Sequence, residues 1–253
     1  MKSLQKALDI IDKVAERGSA GIRDLSALAG FPPATTHRIV STLAERHYLE
    51  QDPLTKKYSL SLRFLELGSK VQQKFNLSEI ARPHMEELMT ETKESVNLAV
   101  RDGDEMVYLD QVRSDYALLQ LFTRPGARVH LYNTGVGKLF LSRMSDEELG
   151  EYLARNRLTA RTRYTITDED SLRRELETIR IRGFSVDNEE FEEGVRCVAS
   201  LVFDHSRRPV AAISISGAVV RITPEHIPRF GKLVRRAAFS ISRKLGYERA
   251  AVS

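Results

Sequence analysis

Hydrophobic residues recur every three or four positions over roughly the first 46 residues of the chain, and this spacing predicts three short helices. The first helix covers residues 3–17, the second about 22–29 and the third 33–46. Gly30 follows the second helix, where glycine adopts a left-handed backbone without strain. The apolar face of the first helix is predicted to be Leu4, Leu8, Ile11 and Ala15, and that of the third Thr36, Ile39, Val40 and Leu43.

A short β-hairpin is predicted directly after the third helix. Residues 48–51 and 57–60 have the composition of short strands, and Asp52 and Pro53 supply the residue types that favour a turn between them. Three helices and a hairpin within about 60 residues are typical of a winged helix-turn-helix.

The rest of the chain has a different pattern. Residues 62–76 are predicted to form a connecting helix, and a mixture of strands and helices follows. Strands paired around a few helices indicate one antiparallel sheet with helices packed on it, so the fold class is α+β. The predicted elements are a helix over 78–92, a hairpin turning at Asp102–Gly103, a strand over 118–124, two helices within 135–154, a helix over 168–182, strands at 184–187, 197–204 and 210–217, and a closing helix over 224–245.

The first turn of the third helix is unusual because small and polar residues precede its apolar stripe. Pro32 and Pro33 lead into the helix, residues 34–37 are small or polar, and Arg38 is basic. A helix that reads DNA inserts its N-terminal turns into the major groove, where short side chains allow close approach and Thr, His and Arg can hydrogen-bond base edges. The alternative is a surface helix with a polar first turn.

Composition narrows the choice of protein class. The chain has 253 residues, a formal net charge of +4 and a sequence pI of about 9.2, which permit nucleic-acid binding without requiring it. Its single cysteine, Cys197, excludes intrachain disulfides and cysteine-rich zinc sites. We find no signal peptide and no apolar run near the roughly 20 residues of a membrane span, so a cytoplasmic location is expected.

Four stretches carry a family resemblance: "SLQKALDIID", "IRDLSALAGFPPATTHRIVSTLAERHYLEQDPLTKKYSLSLRFLELG", "TGVGKLFLSRMSDEEL" and "RGFSVDNEEFEEGVRCVASLVFDHSRRPVAAISISG". Together they resemble the IclR family of bacterial transcription regulators over nearly the whole chain. The resemblance implies a winged helix-turn-helix DNA-binding domain over 1–61, a linker and dimerisation helix over 62–76, and a GAF-like effector-binding domain over 77–253. It further implies a homodimer or homotetramer on double-stranded operator DNA, with no membrane partner.

By this resemblance, the DNA-binding residues lie in the helix-turn-helix and in the wing. Those in the third helix would face the major groove, and Arg23, Lys56 and Lys57 would contact phosphates. The full expected set is Arg23, Ala34, Thr35, Thr36, His37, Arg38, Ser41, Lys56 and Lys57.

The resemblance also implies a pocket for a small effector, expected to be a 2-oxoacid carboxylate such as glyoxylate or pyruvate. Amide groups at the start of the "GVGK" helix would attract an anionic oxygen, and side chains from three strands would complete the site. The polar members are Gly135, Val136, Asp187, Cys197, Ser214 and Ser216, and the apolar wall is Leu118, Leu121 and Val129. Tyr132 would reshape the pocket if it pointed inward.

The acidic stretch, the cysteine and an arginine cluster are each considered for a structural or solvent-exposed role. The five carboxylates between Asp187 and Glu193 are expected to form a solvated acidic loop, apart from Asp187. No metal-ligand spacing accompanies them, and we expect neither metal nor cofactor. A lone cysteine is more often a small buried hydrophobe than a nucleophile. The arginines at 155, 157, 161 and 163 form either a solvated face, a subunit contact or a second anion site.

Two other classes of function are weighed against a DNA-binding regulator. One is an enzyme acting on small carboxylates, with the N-terminal domain as a docking module. The other is an adaptor that uses its winged helix for protein contacts. The sequence shows no nucleophile–base pair, metal motif or phosphate loop, so we expect a protein that is not an enzyme.

Overall fold

The computed structural model describes residues 2–74, 77–114 and 123–248. Contacts divide the chain into two compact units, Met1–Phe75 and Asn76–Ser253. Leu118 and Leu121, and most of the strand expected over 118–124, lie outside the described residues.

The N-terminal unit contains the predicted three helices and hairpin, followed by a further helix. Its elements are α1 (Lys2–Arg17), α2 (Ile22–Ala29), α3 (Pro33–Glu45), β1 (Leu49–Gln51), β2 (Tyr58–Leu60) and α4 (Arg63–Lys74). The two strands pair antiparallel, and Ala20 bridges to Tyr58 on the other side of the hairpin. Gly30 ends α2 with φ of 68°, as its position after the helix predicts.

The prediction of the buried face of α1 is wrong at three of its four positions. Leu4 and Leu8 are 67% and 52% exposed and Ala15 is exposed too, whereas Ile10 and Val14 are fully buried in the core of the unit. Apolar residues cover a wide arc of this helix, so two neighbouring stripes fit the same periodicity. Packing against the other helices buries the stripe of Ile10 and Val14 instead of the predicted one.

Over its described residues, the C-terminal unit is a six-stranded antiparallel sheet with helices on both faces, which confirms the α+β prediction. The strand order is β5-β4-β3-β8-β7-β6. The elements are α5 (Leu77–Thr92), β3 (Ser95–Asp102), β4 (Glu105–Val112), β5 (Arg128–His130), α6 (Gly135–Leu141), α7 (Asp146–Arg155), α8 (Glu169–Arg182), β6 (Ser185–Asn188), β7 (Val195–Phe203), β8 (Pro209–Ala218) and α9 (Ile227–Lys244).

Each face of the sheet has its own apolar core because side chains alternate along the strands. Helices α5 and α9 pack on one face, over residues such as Val198 and Ile213. Helix α6 packs on the other face with α7 and α8 behind it, over residues such as Ala199 and Ala212. Along the strands, the side chains of this second face change from apolar to polar, and the candidate ligand site lies in the polar part.

Candidate functional site

The start of α3 is shaped by its two prolines. Pro32 occupies the N-cap position and Pro33 the first helical position, where the missing N–H would be unpaired in any residue. The amides of Thr35 and Thr36 both donate to the carbonyl of Pro32, over 2.9 and 3.0 Å. The helix therefore begins abruptly and presents a first turn of small side chains.

One face of α3 is exposed along its length. Ala34, His37 and Arg38 are exposed and Ser41 is half-buried, and their spacing of three and four residues places them on a single side of the helix. Thr35 is half-buried at the margin of this face. The exposed face is therefore small at its start and basic further along the helix.

Thr36 corrects the sequence-based set of DNA-binding residues. Its side chain is fully buried, so it cannot reach a base edge. It faces inward with Val40, one turn further along the helix. Thr36 is predicted both on the apolar face of α3 and among the groove-facing residues, and its burial agrees only with the first.

The wing is a tight loop that holds two lysines at the surface. The Asp52 carboxylate accepts from the amides of Leu54 and Thr55, over 2.9 and 2.7 Å, and these bonds lower the pKa of Asp52. Lys56 adopts a positive φ of 58° and donates its amide to the Asp52 carbonyl. Lys56 and Lys57 are both exposed, as is Arg23 in the first turn of α2.

Two adjacent rows of polar side chains cross the sheet of the C-terminal unit on the same face. In the first row, Gln111 on β4 lies opposite Asn97 on β3, which lies opposite Ser214 on β8. The second row runs through four strands in the order Ser95, Ser216, Cys197 and Asp187. The structure thus brings together four of the predicted effector residues.

The next row on this face is apolar and bounds the polar rows. It contains Ala99, Ala212 and Leu201, and buried Tyr108 lies opposite Ala99. Val129 pairs with Met106, so the strand register places it beyond the row of Tyr108 rather than next to the polar side chains. The apolar side chains next to the polar rows are therefore those of Ala99, Ala212, Leu201 and Tyr108, and not the predicted Val129.

Helix α6 begins directly over the second polar row. A Cβ on Gly135 would lie 3.3 Å from Ser185 Oγ and 3.4 Å from the amide of Asp187, so only a glycine fits there with ease. The amide of Gly137 donates to Thr134 Oγ1 over 3.2 Å. Among the described residues, the buried amides of Gly135 and Val136 find no acceptor. Buried N–H groups nearly always have a partner, so these two are free to bind an anionic oxygen.

Asp187 is buried at the end of the second row. Burial, and then the negative charge of Glu190, raise its pKa to about 7, and the charge of Lys138 and two amide hydrogen bonds oppose this shift. Those bonds run from Glu190 and Phe191 to Asp187 Oδ1, over 2.8 and 3.3 Å. The raised pKa brings the protonated form of this carboxyl within reach of neutral pH, so the group can donate or accept a hydrogen bond.

Cys197 is a neutral thiol in this setting. Burial raises its pKa, and the nearby Asp187 raises it further, whereas a hydrogen bond with Ser216 opposes the shift. A thiol that stays protonated is a poor nucleophile. The geometry agrees with the reading of Cys197 as a small side chain that shapes the site.

Sequence reasoning missed a buried ion-pair network behind the start of α6. Lys138 is 1% exposed; its Nζ contacts Glu190 closely and lies 3.4 Å from Glu175, which in turn pairs with Arg182 over 3.1 Å. The expectation that Glu190 belongs to a solvated loop is thus wrong. The available signal was Lys138 itself: one charge in an otherwise apolar buried helix requires a counter-charge.

Two further sequence features take structural roles. The Tyr132 hydroxyl donates to the carbonyl of Thr159 over 2.9 Å, so this side chain is held by the backbone there and is not part of the polar rows. Three members of the exposed arginine cluster have partners of their own: Arg155 with Asp104, Arg161 with the Phe191 carbonyl, and Arg163 with Glu193. These contacts favour a solvated face.

Comparison with known proteins identifies the family. A model described as the IclR helix-turn-helix domain matches residues 3–53, and one described as the bacterial transcriptional regulator IclR C-terminal matches residues 69–243. The chain belongs to the IclR family. The sequence-based recognition is confirmed, and this IclR-family chain is a transcriptional regulator with a DNA-binding helix-turn-helix.

Similar proteins support the assignment. The chain is 34% identical over 249 residues to the transcriptional repressor IclR of Escherichia coli, which covers 97% of this chain and 90% of that protein. The crystal structure of the IclR protein of Thermotoga maritima has a TM-score of 0.83 at 36% identity, over 98% of this chain and 100% of that one. An IclR homolog from Microbacterium hydrocarbonoxydans, crystallised with 4-hydroxybenzoate, shares the fold with a TM-score of 0.85 at 23% identity, over 96% and 98%.

The same comparisons bear on the class of protein. The relatives carry the names of regulators and repressors, which confirms the expectation of a regulator rather than an enzyme. Within the described part of the chain, no three His, Cys, Asp or Glu side chains are grouped as a metal site would require. None of the helices described combines the length and hydrophobicity needed to cross a bilayer.

Proposed function

We propose that this regulator binds operator DNA through α3 and the wing, and that its C-terminal unit binds a small 2-oxoacid carboxylate such as glyoxylate or pyruvate. The observation that carries the effector proposal is the pair of polar rows beneath the free amides of α6. Ser214, Ser216 and Asp187 lie in those rows, and Gly135 and Val136 supply the amides.

The DNA-binding face is proposed to be the exposed side of α3 together with the wing. Arg38 stands on the exposed side of the helix, one turn after Ala34, where a long donor can reach a base edge. Lys56 and Lys57 project from the loop that Asp52 holds, and exposed lysines there suit the phosphate backbone.

Replacing Arg38 by Ala is expected to weaken operator binding by about 1–3 kcal/mol and to relax sequence preference, because a base contact is lost. Lys57→Ala should instead weaken binding to all duplexes and reduce the salt dependence by about one charge. Fluorescence anisotropy with operator and scrambled duplexes at several salt concentrations measures both effects. Thr36→Ser is the control, because the side chain of Thr36 is buried and its change should leave operator affinity unaltered. An Arg38→Ala variant that binds operator as tightly as wild type would contradict the assignment of α3 as the DNA-reading helix.

The carboxylate proposal is supported by the donors that converge on one place. Two amides at the start of α6 and the hydroxyls of Ser214 and Ser216 lie around the second polar row. The row of Ala99, Ala212 and Tyr108 bounds the polar rows on one side, and the donors suit the carboxylate of a small acid. A relative crystallised with 4-hydroxybenzoate makes that aromatic carboxylate a useful competitor in the assays.

The proposed effector response is tested by titrating pyruvate and glyoxylate into the protein–operator complex. A ligand changes operator affinity only by its preference for one conformation over the other, typically 1–3 kcal/mol, which is about 5–150-fold. A change of this size supports the proposal. An operator affinity that neither acid alters, together with no heat of binding in calorimetry, would contradict it.

Oxoacid binding is expected to weaken about tenfold for each pH unit above 7, because the anion binds beside Asp187 and requires its protonated form. Tyr108 and Cys197 also lie near Asp187, but burial raises their pKa values further above this range, so both stay protonated throughout it. Calorimetry with pyruvate between pH 6 and 9 measures the slope. Asp187→Asn should flatten it, and a persistent slope in that variant would assign the proton to another group.

We further propose that the protein is at least a dimer, held by apolar side chains of the N-terminal unit. Leu62 and Leu65 are 75% and 67% exposed on and before α4, and Leu4 and Leu8 are exposed on α1. Large exposed apolar patches mark contact surfaces, and one winged helix covers only a half-site of DNA.

The double variant Leu62→Glu, Leu65→Glu is expected to be monomeric at micromolar concentration, because buried carboxylates would oppose the contact. Light scattering coupled to size exclusion gives the mass. Leu54→Glu, at a wing position that is 90% exposed, is the matched control and should keep the wild-type mass. A monomeric wild-type protein would contradict the proposal.

A further inference from the structure

We propose that Asn97 is the positioning residue of the effector site, and that a relay from Arg113 through Gln111 and Asn97 turns the hydroxyl hydrogens of Ser214 and Ser216 towards the ligand. This inference rests on the proposed carboxylate site, whose specificity it explains. The relay would make the site select an acceptor, such as a carboxylate, over a donor.

The relay begins with a group that can only donate. Arg113 Nε lies 2.9 Å from Gln111 Oε1, and a guanidinium has no acceptor atom. The atom of Gln111 that faces Arg113 must therefore be its oxygen. This fixes which way the Gln111 amide points, and it leaves Nε2 as the group directed into the row.

The second step fixes the Asn97 amide in the same way. Gln111 Nε2 donates to Asn97 Oδ1 over 2.9 Å, and its other hydrogen reaches Thr123 Oγ1 over 2.6 Å. Asn97 is fully buried and has only one acceptor atom in its side chain. With Oδ1 committed to Gln111, its Nδ2 must face the strand that carries the two serines.

The third step determines what the serines offer. Asn97 Nδ2 donates to Ser216 Oγ over 3.0 Å and, more weakly, to Ser214 Oγ over 3.4 Å. A serine hydroxyl that accepts from a neighbour keeps its own hydrogen for another partner. Within the part of the chain described, Ser214 donates to no protein acceptor, and Ser216 meets only the Cys197 sulfur, which is a weak acceptor as a neutral thiol.

Residues that do not contact the ligand therefore determine whether the site offers hydrogen-bond donors or acceptors. Both serines are nearly fully buried, so their hydrogens have no bulk water to satisfy them, and a ligand oxygen completes the bonds. A ligand that presents only a donor to the serines would leave their buried hydrogens without a strong acceptor. Asn97, Gln111 and Arg113 thereby determine specificity without needing to touch the ligand.

Gln111→Glu tests the relay because it reverses the polarity with almost no change of shape. Next to Arg113, a glutamate stays ionised and can only accept, so Asn97 must turn its Nδ2 towards residue 111 and its Oδ1 towards the serines. The serine hydrogens are then consumed by Asn97. Gln111→Leu is the matched control. It removes the hydrogen bond that fixes the Asn97 amide but still allows Asn97 Nδ2 to face the serines.

Calorimetry on the full-length protein compares pyruvate with pyruvamide, a neutral ligand of similar shape whose amide offers a donor. We expect wild type to prefer pyruvate, Gln111→Glu to lose pyruvate affinity about tenfold or more with a shift of the ratio towards pyruvamide, and Gln111→Leu to lose less. A purely structural role would give the opposite order, because glutamate is the closer match to glutamine. That order, or an unchanged ratio in Gln111→Glu, would overturn the inference.

A ligand-free measurement separates this inference from the proposed function. In the NMR spectrum of the wild-type protein, we expect nuclear Overhauser contacts between the Asn97 side-chain amide hydrogens and the β-hydrogens of Ser216, and their loss in Gln111→Glu. Their absence in wild type would overturn the relay whatever the protein binds. Their presence without any binding of pyruvate or glyoxylate would support the relay and contradict only the proposed effector.

Discussion

Replacing Lys138 by Met is expected to lower the free energy of unfolding of the C-terminal unit by about 3–5 kcal/mol, because it leaves the carboxylate of Glu190 buried without its counter-charge. Lys138 is almost entirely buried, so solvent does not screen the pair. Methionine has a similar volume, so the loss reports the missing charge rather than a cavity. Denaturant unfolding followed by circular dichroism measures the change.

Two variants make this result specific to the ion pair. Lys138→Met combined with Glu190→Gln removes both charges and should recover a substantial part of the loss, since no buried charge then lacks a partner. Lys232→Met changes an exposed lysine of α9 and should stay within about 0.5 kcal/mol of wild type. Equal stability of the Lys138 and Lys232 variants would show that the pair has no structural role.

The double variant Ser214→Ala, Ser216→Ala is expected to lose most of its affinity for pyruvate or glyoxylate. Each hydroxyl is buried, and a ligand oxygen left without its donor costs about 1–3 kcal/mol, or roughly 5–150-fold in affinity for each serine. Because both side chains lie on one face of β8, their removal should leave the opposite core unchanged. Isothermal calorimetry on the full-length protein gives the two dissociation constants.

Ser200→Ala provides the matched control for the serine pair. Ser200 is also a buried serine, on the neighbouring strand β7, but it alternates with Ala199 and Leu201 and so projects from the other face of the sheet. Its affinity for the oxoacid should equal that of wild type. An identical heat of binding in the double variant and in wild type would place the ligand elsewhere in the protein.

Local patterns were sufficient to predict the elements of the N-terminal unit. Helical spacing, Gly30 and the two prolines act over a few residues, so α2 and α3 begin and end close to the predicted positions. Which face of a helix is buried depends on its neighbours, and here the prediction was incomplete. Leu4 and Leu8 are exposed and Ile10 is buried because packing of three helices, rather than periodicity in one, determines the rotation of each.

The candidate ligand site shows the same division more strongly. The resemblance supplied Asp187, Cys197, Ser214 and Ser216 as separate positions. Strand register places Ser216, Cys197 and Asp187 in one row across the sheet and Ser214 in the adjacent row. Nothing in a one-dimensional pattern pairs side chains that are distant along the chain. Asn97 hydrogen-bonds Ser214 across a separation of 117 residues, and no local spacing signals such a contact.

By itself, the sequence determined the α+β class and the position of the helix-turn-helix, because these depend on local periodicity, and its resemblance to the IclR family supplied the regulatory role. Only the tertiary structure decided which charges are buried and which hydrogen bonds orient the site. Lys138 and Glu190 are 52 residues apart, and their pairing follows from the packing of α6 against the loop after β6. Burial and the direction of a hydrogen bond are properties of the surroundings, and the surroundings exist only once the chain has folded.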